Sequence, residues 1–115
     1  MIRTKRIYDQ PAADDGRRIL VDRLWPRGLS REEARLDLWM REIAPSDELR
    51  RWYGHDPQRW EEFRTRYRQE LYNQSQALAE LRRWSNDETV TLLFAAKNIE
   101  QNNAVVVKEV VESFS

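Results

Sequence analysis

The chain has 115 residues, 40% of them hydrophobic and 35% charged, with twenty acids, twenty bases and a formal net charge of zero. That length suits one domain with a modest core, and the apolar residues are clustered rather than diluted, unlike those of a disordered chain. With no cysteine and one histidine, disulfides, thiolate chemistry and multi-histidine metal centres are excluded, and no apolar run nears the ~20 residues that span a bilayer.

The first strand is expected at Lys5–Tyr8 and a turn-rich connection at Asp9–Gly16. Arg18–Leu24 reads as the second strand, with Ile19 and Val21 on one face and Leu20, Asp22 and Leu24 on the other. It must leave the sheet at Trp25-Pro26-Arg27-Gly28, because Pro26 lacks an N–H and Gly28 permits a turn. Ser30 and Glu33 have capping-box spacing, with Leu29 and Ala34 as a staple. The stripe Leu36, Trp39, Met40 and Ile43 extends a helix to Pro45.

Ser46 starts a short helix from Asp47 to about Tyr53, closed by Gly54. Asp56-Pro57 opens the longest helix, whose face Trp60, Phe63, Tyr67, Leu71, Leu78 and Leu81 carries it to about Arg83. Its Arg59, Arg64, Arg66 and Arg68 alternate with Glu61, Glu62 and Glu70, as on a solvated face. A turn at Ser85-Asn86-Asp87 precedes the clearest strand, Thr89–Ala96. Lys97–Gln101 is a loop, and Asn102 or Asn103 caps a last helix with Ala104, Val107, Val111 and Phe114 on one face.

Residues 1–115 thus read as a single α/β domain of order β-β-α-α-α-β-α. About three strands form a small, mostly parallel sheet covered by about four helices. The helical crossover makes the second and third strands parallel neighbours. The loops after Trp25 and Ala96 then emerge at one sheet edge, where open α/β sheets bind ligands.

Several runs carry a family resemblance. Asp22-Arg23-Leu24-Trp25-Pro26-Arg27-Gly28, Ala44-Pro45-Ser46, Gly54-His55-Asp56, Ala95-Ala96-Lys97 and Asn102-Asn103-Ala104 resemble the YeaO-like proteins of the family called domain of unknown function 488. The likeness runs from about residue 3 to 112. It implies a small bacterial or archaeal α/β protein and brings no activity, substrate or cofactor with it.

The residues themselves suggest a site. Seventeen of the twenty cations are arginine, whose planar fork suits phosphates, carboxylates and aromatic faces. Arg23 and Arg27 are candidate anion ligands, Trp25 a stacking surface, and Gly28 a point of close backbone approach. Lys97, with Asn102 and Asn103 at a helix start, extends that set. Asp22 is expected either to orient Arg23 for a ligand or to lock with it as an internal pair. His55 and Asp22 are the candidate catalytic groups, with Glu70 an alternative base and Tyr67 an alternative proton donor.

No glycine-rich phosphate loop and no nucleophile elbow is present, so arginine, lysine and helix ends would have to hold an anion. The expected partner is therefore an anionic or phosphorylated, nucleotide-like small molecule, with no cofactor, metal or membrane and a cytoplasmic location by default. A single-stranded nucleic-acid module is the alternative, which the zero net charge does not favour. A protein-interaction domain with an Arg/Trp hot spot is the third reading.

Overall fold

Val90–Phe94 is buried at every position, as a central strand with both faces covered must be. In the computed structural model, which describes residues 1–113, it is the inner strand β4 of a four-stranded sheet ordered β1-β4-β2-β3. The others are β1 (Ile2–Arg6), β2 (Arg17–Leu20) and β3 (Leu38–Trp39), and every neighbouring pair is parallel. The expected adjacency of the second and last main strands holds, with Ile19 opposite Leu92. β1 begins and ends earlier than Lys5–Tyr8, and β2 stops at Leu20, four residues before the expected end. Val21 still donates to the Leu93 carbonyl, but Asp22 turns its side chain to the Ala95 amide and the chain leaves the ladder there.

The helices are α1 (Arg31–Ala34), α2 (Asp47–Tyr53), α3 (Trp60–Tyr72), α4 (Ser75–Asp87) and α5 (Asn103–Ser113). The main core lies between the sheet and α2–α5. There Ile19, Val21 and Leu92 meet Phe63, Tyr67 and Val107. A thinner layer on the opposite face joins Ile7, Leu20, Ala34 and Leu93, with Trp25 and Trp39 packed against it.

Two helix assignments differ from expectation. Ser30 and Glu33 do form the capping box, but α1 lasts one turn and Arg35 ends it in the left-handed region, φ 49°. The next residues serve the open edge of β2 instead. Asp37 N–H donates to Arg18, Met40 N–H donates to Leu20, and the Asp37 carboxylate accepts from Arg18 N–H. Met40 and Ile43 then join the main core while Leu36 and Trp39 join the thin one. The apparent helical stripe is a chain passing around a sheet edge.

The long helix is broken at Asn73-Gln74 into α3 and α4, each of 13 residues. The seven-residue spacing between Leu71 and Leu78 holds Asn73 and Ser75, weaker helix formers that bury no apolar side chain. α4 also absorbs Ser85-Asn86-Asp87, expected as a turn. α5 is helical despite its valines and buries Ala104, Val107 and Val111. Phe114, assigned to the same face, lies outside the described residues. No helix among the described residues is long and apolar enough to cross a membrane.

Candidate functional site

The carboxyl ends of the parallel strands open onto one cleft of about 840 Å³, within the size range of small-molecule sites. Tyr8 follows β1, Asp22–Arg27 follow β2, Pro45 follows β3, and Ala95–Asn98 follow β4. Arg50, Arg51, Tyr53 and His55 form the wall at the end of α2, and Asn102 and Asn103 close it at the start of α5.

Among the sequence-derived candidates, Asp22, Arg23, Trp25, Arg27, His55, Lys97, Asn102 and Asn103 all line this cleft. Gly28 does not. A side chain built on it meets no atom within 4 Å, so no close approach requires a glycine there; its φ of 72° does. Tyr67 is fully buried in the core, donates to the Ile43 carbonyl at 2.5 Å, and is not a proton donor to the cleft. Burial, with the charges of Asp22 and Glu70, pushes its phenol well up. Glu70 is spent as well, accepting from both the N–H and the hydroxyl of Ser46.

Asp22 and Arg23 do not pair. Arg23 Nε donates to the Pro45 carbonyl at 3.0 Å and lies 3.8 Å from Asp47. Asp22 is held by neutral donors instead: Oδ2 accepts from Ala95 N–H and Oδ1 from Asn103 Nδ2, each at 3.0 Å. Its own carbonyl accepts from Trp39 Nε1 at 2.7 Å. Burial raises the Asp22 carboxyl above the ordinary carboxylate range, partly opposed by the Asn103 and Ala95 bonds and by the charge of His55.

The rest of the run is fixed by its neighbours. Trp25 Nε1 donates to the Leu29 carbonyl at 2.7 Å, the ring meets Trp39 edge-on, and Arg31 sits over it. Pro26 is buried. Tyr8 ties its hydroxyl to the Arg27 carbonyl at 2.9 Å, which joins the β1 and β2 loops across the cleft.

His55 is exposed, its ring centroid 5.9 Å from that of Tyr53, with φ 57° in the left-handed region. A non-glycine residue there is uncommon, and such geometry clusters at functional sites. Asn102 is the helix cap. Its Oδ1 accepts from Val105 N–H and its Nδ2 donates to Asn98, so the side chain is committed. Asn103 bridges Val21 and Asp22 through Nδ2.

Sequence reasoning assigned no role at this cleft to Arg50, Arg51, Tyr8 or Tyr53. Tyr8 closes the expected first strand, whereas Arg50, Arg51 and Tyr53 sit on α2, which only the fold carries to the strand ends. Arg50 Nη2 is 3.4 Å from Asp47, and its buried Nε has no hydrogen-bond partner among the described residues. The lining thus has five permanent cations, Arg23, Arg27, Arg50, Arg51 and Lys97, against one carboxylate, Asp22. Arg27, Arg51 and Lys97 make no salt bridge among the described residues, and Asp47 just outside the lining meets Arg23 and Arg50. The α3 face is by contrast internally compensated, with Arg66 on Glu62 and both Arg64 and Arg68 on Glu109.

A family model described as "Inactive DUF488-N3 subclade" matches residues 1–114. The chain is 42% identical over 108 residues to Uncharacterized protein YeaO of Escherichia coli (strain K12), covering 94% of each chain. It is also 42% identical over 108 residues to Uncharacterized protein Rv3073c of Mycobacterium tuberculosis (strain ATCC 25618 / H37Rv), covering 94% of this chain and 91% of that one. No solved structure matches the chain.

Proposed function

The chain belongs to the YeaO-like proteins of the domain of unknown function 488, in the DUF488-N3 subclade described as inactive, and from that premise we propose that it binds an anionic, phosphorylated small molecule of nucleotide size without turning it over. The observation that carries this reading is charge segregation. A chain with no net charge gathers five cations and one carboxylate around a single concave site. Arg23, Arg27, Arg50, Arg51 and Lys97 are the anion ligands, in place of the glycine-rich loop the sequence lacks. The subclade's description favours binding, so Asp22 and His55 serve as ligand contacts rather than as an acid–base pair.

A concave site and a compensated α3 face favour a small molecule over a nucleic-acid strand. Trp25 is already engaged by Leu29, Trp39 and Arg31, which leaves it little free surface for a protein partner. Differential scanning fluorimetry with orthophosphate, pyrophosphate and nucleoside phosphates tests the proposal. A ligand at a hundred times its Kd adds about 2.7 kcal/mol of stability and raises the Tm. A Tm unmoved by every anion in that set refutes it.

A further inference from the structure

Among the described residues, Asp22 is the one carboxylate that lines the cleft, and it makes no salt bridge. Five cations line the same cleft, yet the contacts of Asp22 are the neutral N–H groups of Ala95 and Asn103, one on each oxygen. An ionised carboxylate offers about four lone-pair positions. Two are filled, and the residue lies against the cleft, so an occupant can reach the remaining two. A half-buried carboxylate short of donors carries a desolvation cost, and a ligand that supplies a matched pair of donors recovers it.

The surroundings restrict what the donor can be. A ligand ammonium or guanidinium would have to enter a cleft lined by five like charges and one carboxylate, a net repulsive field in a medium of reduced dielectric. A neutral group with two adjacent, parallel N–H bonds meets no such penalty and matches the carboxylate two-for-two, in the geometry that arginine uses on carboxylates. Among nucleobases, guanine carries that arrangement on its Watson–Crick edge, as N1–H beside the exocyclic amino group. Adenine presents an acceptor beside its amino group, and hypoxanthine has the ring N–H alone.

We propose that Asp22 is the specificity-determining residue of this cleft, reading the paired N–H edge of a guanine-type base while the surrounding arginines hold the phosphate of the same molecule. The inference rests on the anion-binding reading above and adds the base to it. Asn103 and Ala95 are positioning groups. They fix the carboxylate plane by one bond to each oxygen, on a residue that lines the cleft.

Isothermal titration calorimetry of the full chain with GMP, IMP, AMP, 1-methyl-GMP and orthophosphate separates the two levels. GMP is expected to bind at least about tenfold more tightly than AMP, IMP or 1-methyl-GMP, because a site built around buried polar groups rejects analogues that leave them unpaired. Asp22→Asn, checked for folding by circular dichroism, should bring the GMP and AMP affinities together. The comparison of GMP with 1-methyl-GMP needs no variant and stands if Asp22→Asn does not fold. Equal binding of GMP, AMP and 1-methyl-GMP overturns the role of Asp22 and leaves the anion site intact. A guanine preference that survives in Asp22→Asn also overturns it. Failure of all five ligands to bind overturns both proposals.

Discussion

Asn103 Nδ2 donates to Asp22 Oδ1 at 3.0 Å and to the Val21 carbonyl at 2.9 Å, across more than eighty residues of chain. One side-chain amide therefore pins the first turn of α5 to the point where β2 leaves the sheet, and so sets the distance between two walls of the cleft. Asn103→Ala leaves a buried carbonyl and a carboxylate each short of a donor. The expected loss is about 1–3 kcal/mol, read as a lower urea midpoint at unchanged m-value. An unchanged midpoint would show that the bridge contributes nothing.

Asp22 makes stability depend on pH in an unusual direction. Its folded pKa is raised above the ordinary value of 3.8, chiefly by burial. The native state then holds the proton more tightly than the unfolded chain, so unfolding stability falls as pH rises through that interval. The contribution is complete below the unfolded value and lost as pH climbs through the folded one. Urea titrations of wild type and Asp22→Asn at steps between pH 3.5 and 7 should show the wild-type advantage shrinking as pH rises. A difference that stays flat or grows contradicts the burial argument.

The opposite sign is expected at Asp15. Burial alone would raise this carboxyl, but the Ala12 N–H, Lys5 and Arg18 together hold it below its ordinary value. Arg18 Nη1 lies 2.6 Å and Lys5 Nζ 3.1 Å from its oxygens, and both Asp15 and Arg18 are buried. This contribution is present above the unfolded carboxylate value and lost as pH falls through the folded one. Arg18→Met leaves Asp15 with only Lys5 and the Ala12 N–H and also releases the Ala34 and Arg35 carbonyls that Arg18 serves. A destabilisation of about 3–5 kcal/mol follows, whereas Asp15→Asn with Arg18→Met together should cost less than the sum of the two singles. Additive costs in that double-mutant cycle would mean that the two do not act as a pair.

Two glycines with positive φ should respond very differently to alanine. A Cβ at Gly16 falls 2.1 Å from the Thr89 carbonyl oxygen, a backbone atom that cannot move without breaking the Arg17–Thr89 hydrogen bond at the start of β2. Gly28 has open space around it and only its φ of 72° to strain. Gly28→Ala should cost roughly 1 kcal/mol, and Gly16→Ala several-fold more, with loss of soluble expression as the practical readout. Comparable midpoints for the two variants would be the contrary result.

Local physics was readable along the chain wherever it decided the outcome. Ser30, Ser46, Asn102 and Gly54 ended or began helices where their side chains or φ required, because capping needs only neighbours in sequence. β4 declared itself by near-continuous apolarity, broken only by Thr91, and the alternation of Ile19, Leu20 and Val21 placed β2 correctly on both faces. The convergence of the loops after β2 and β4 on the cleft followed from one crossover rule.

What the sequence could not decide were the matters settled between distant segments. The turn of helix after Ser30 gave way to β3 because the open edge of β2 needed donors and acceptors, and no periodicity records that demand. Asp22 took Ala95 and Asn103 rather than its neighbour Arg23, because consecutive residues on an extended chain point apart while the ends of β4 and α5 converge. Arg50 and Arg51 became part of the site only because α2 lies across the strand ends. Residue types fixed which groups could hold an anion; the parallel sheet decided which of them stand together, since its register brings four separate loops to one edge.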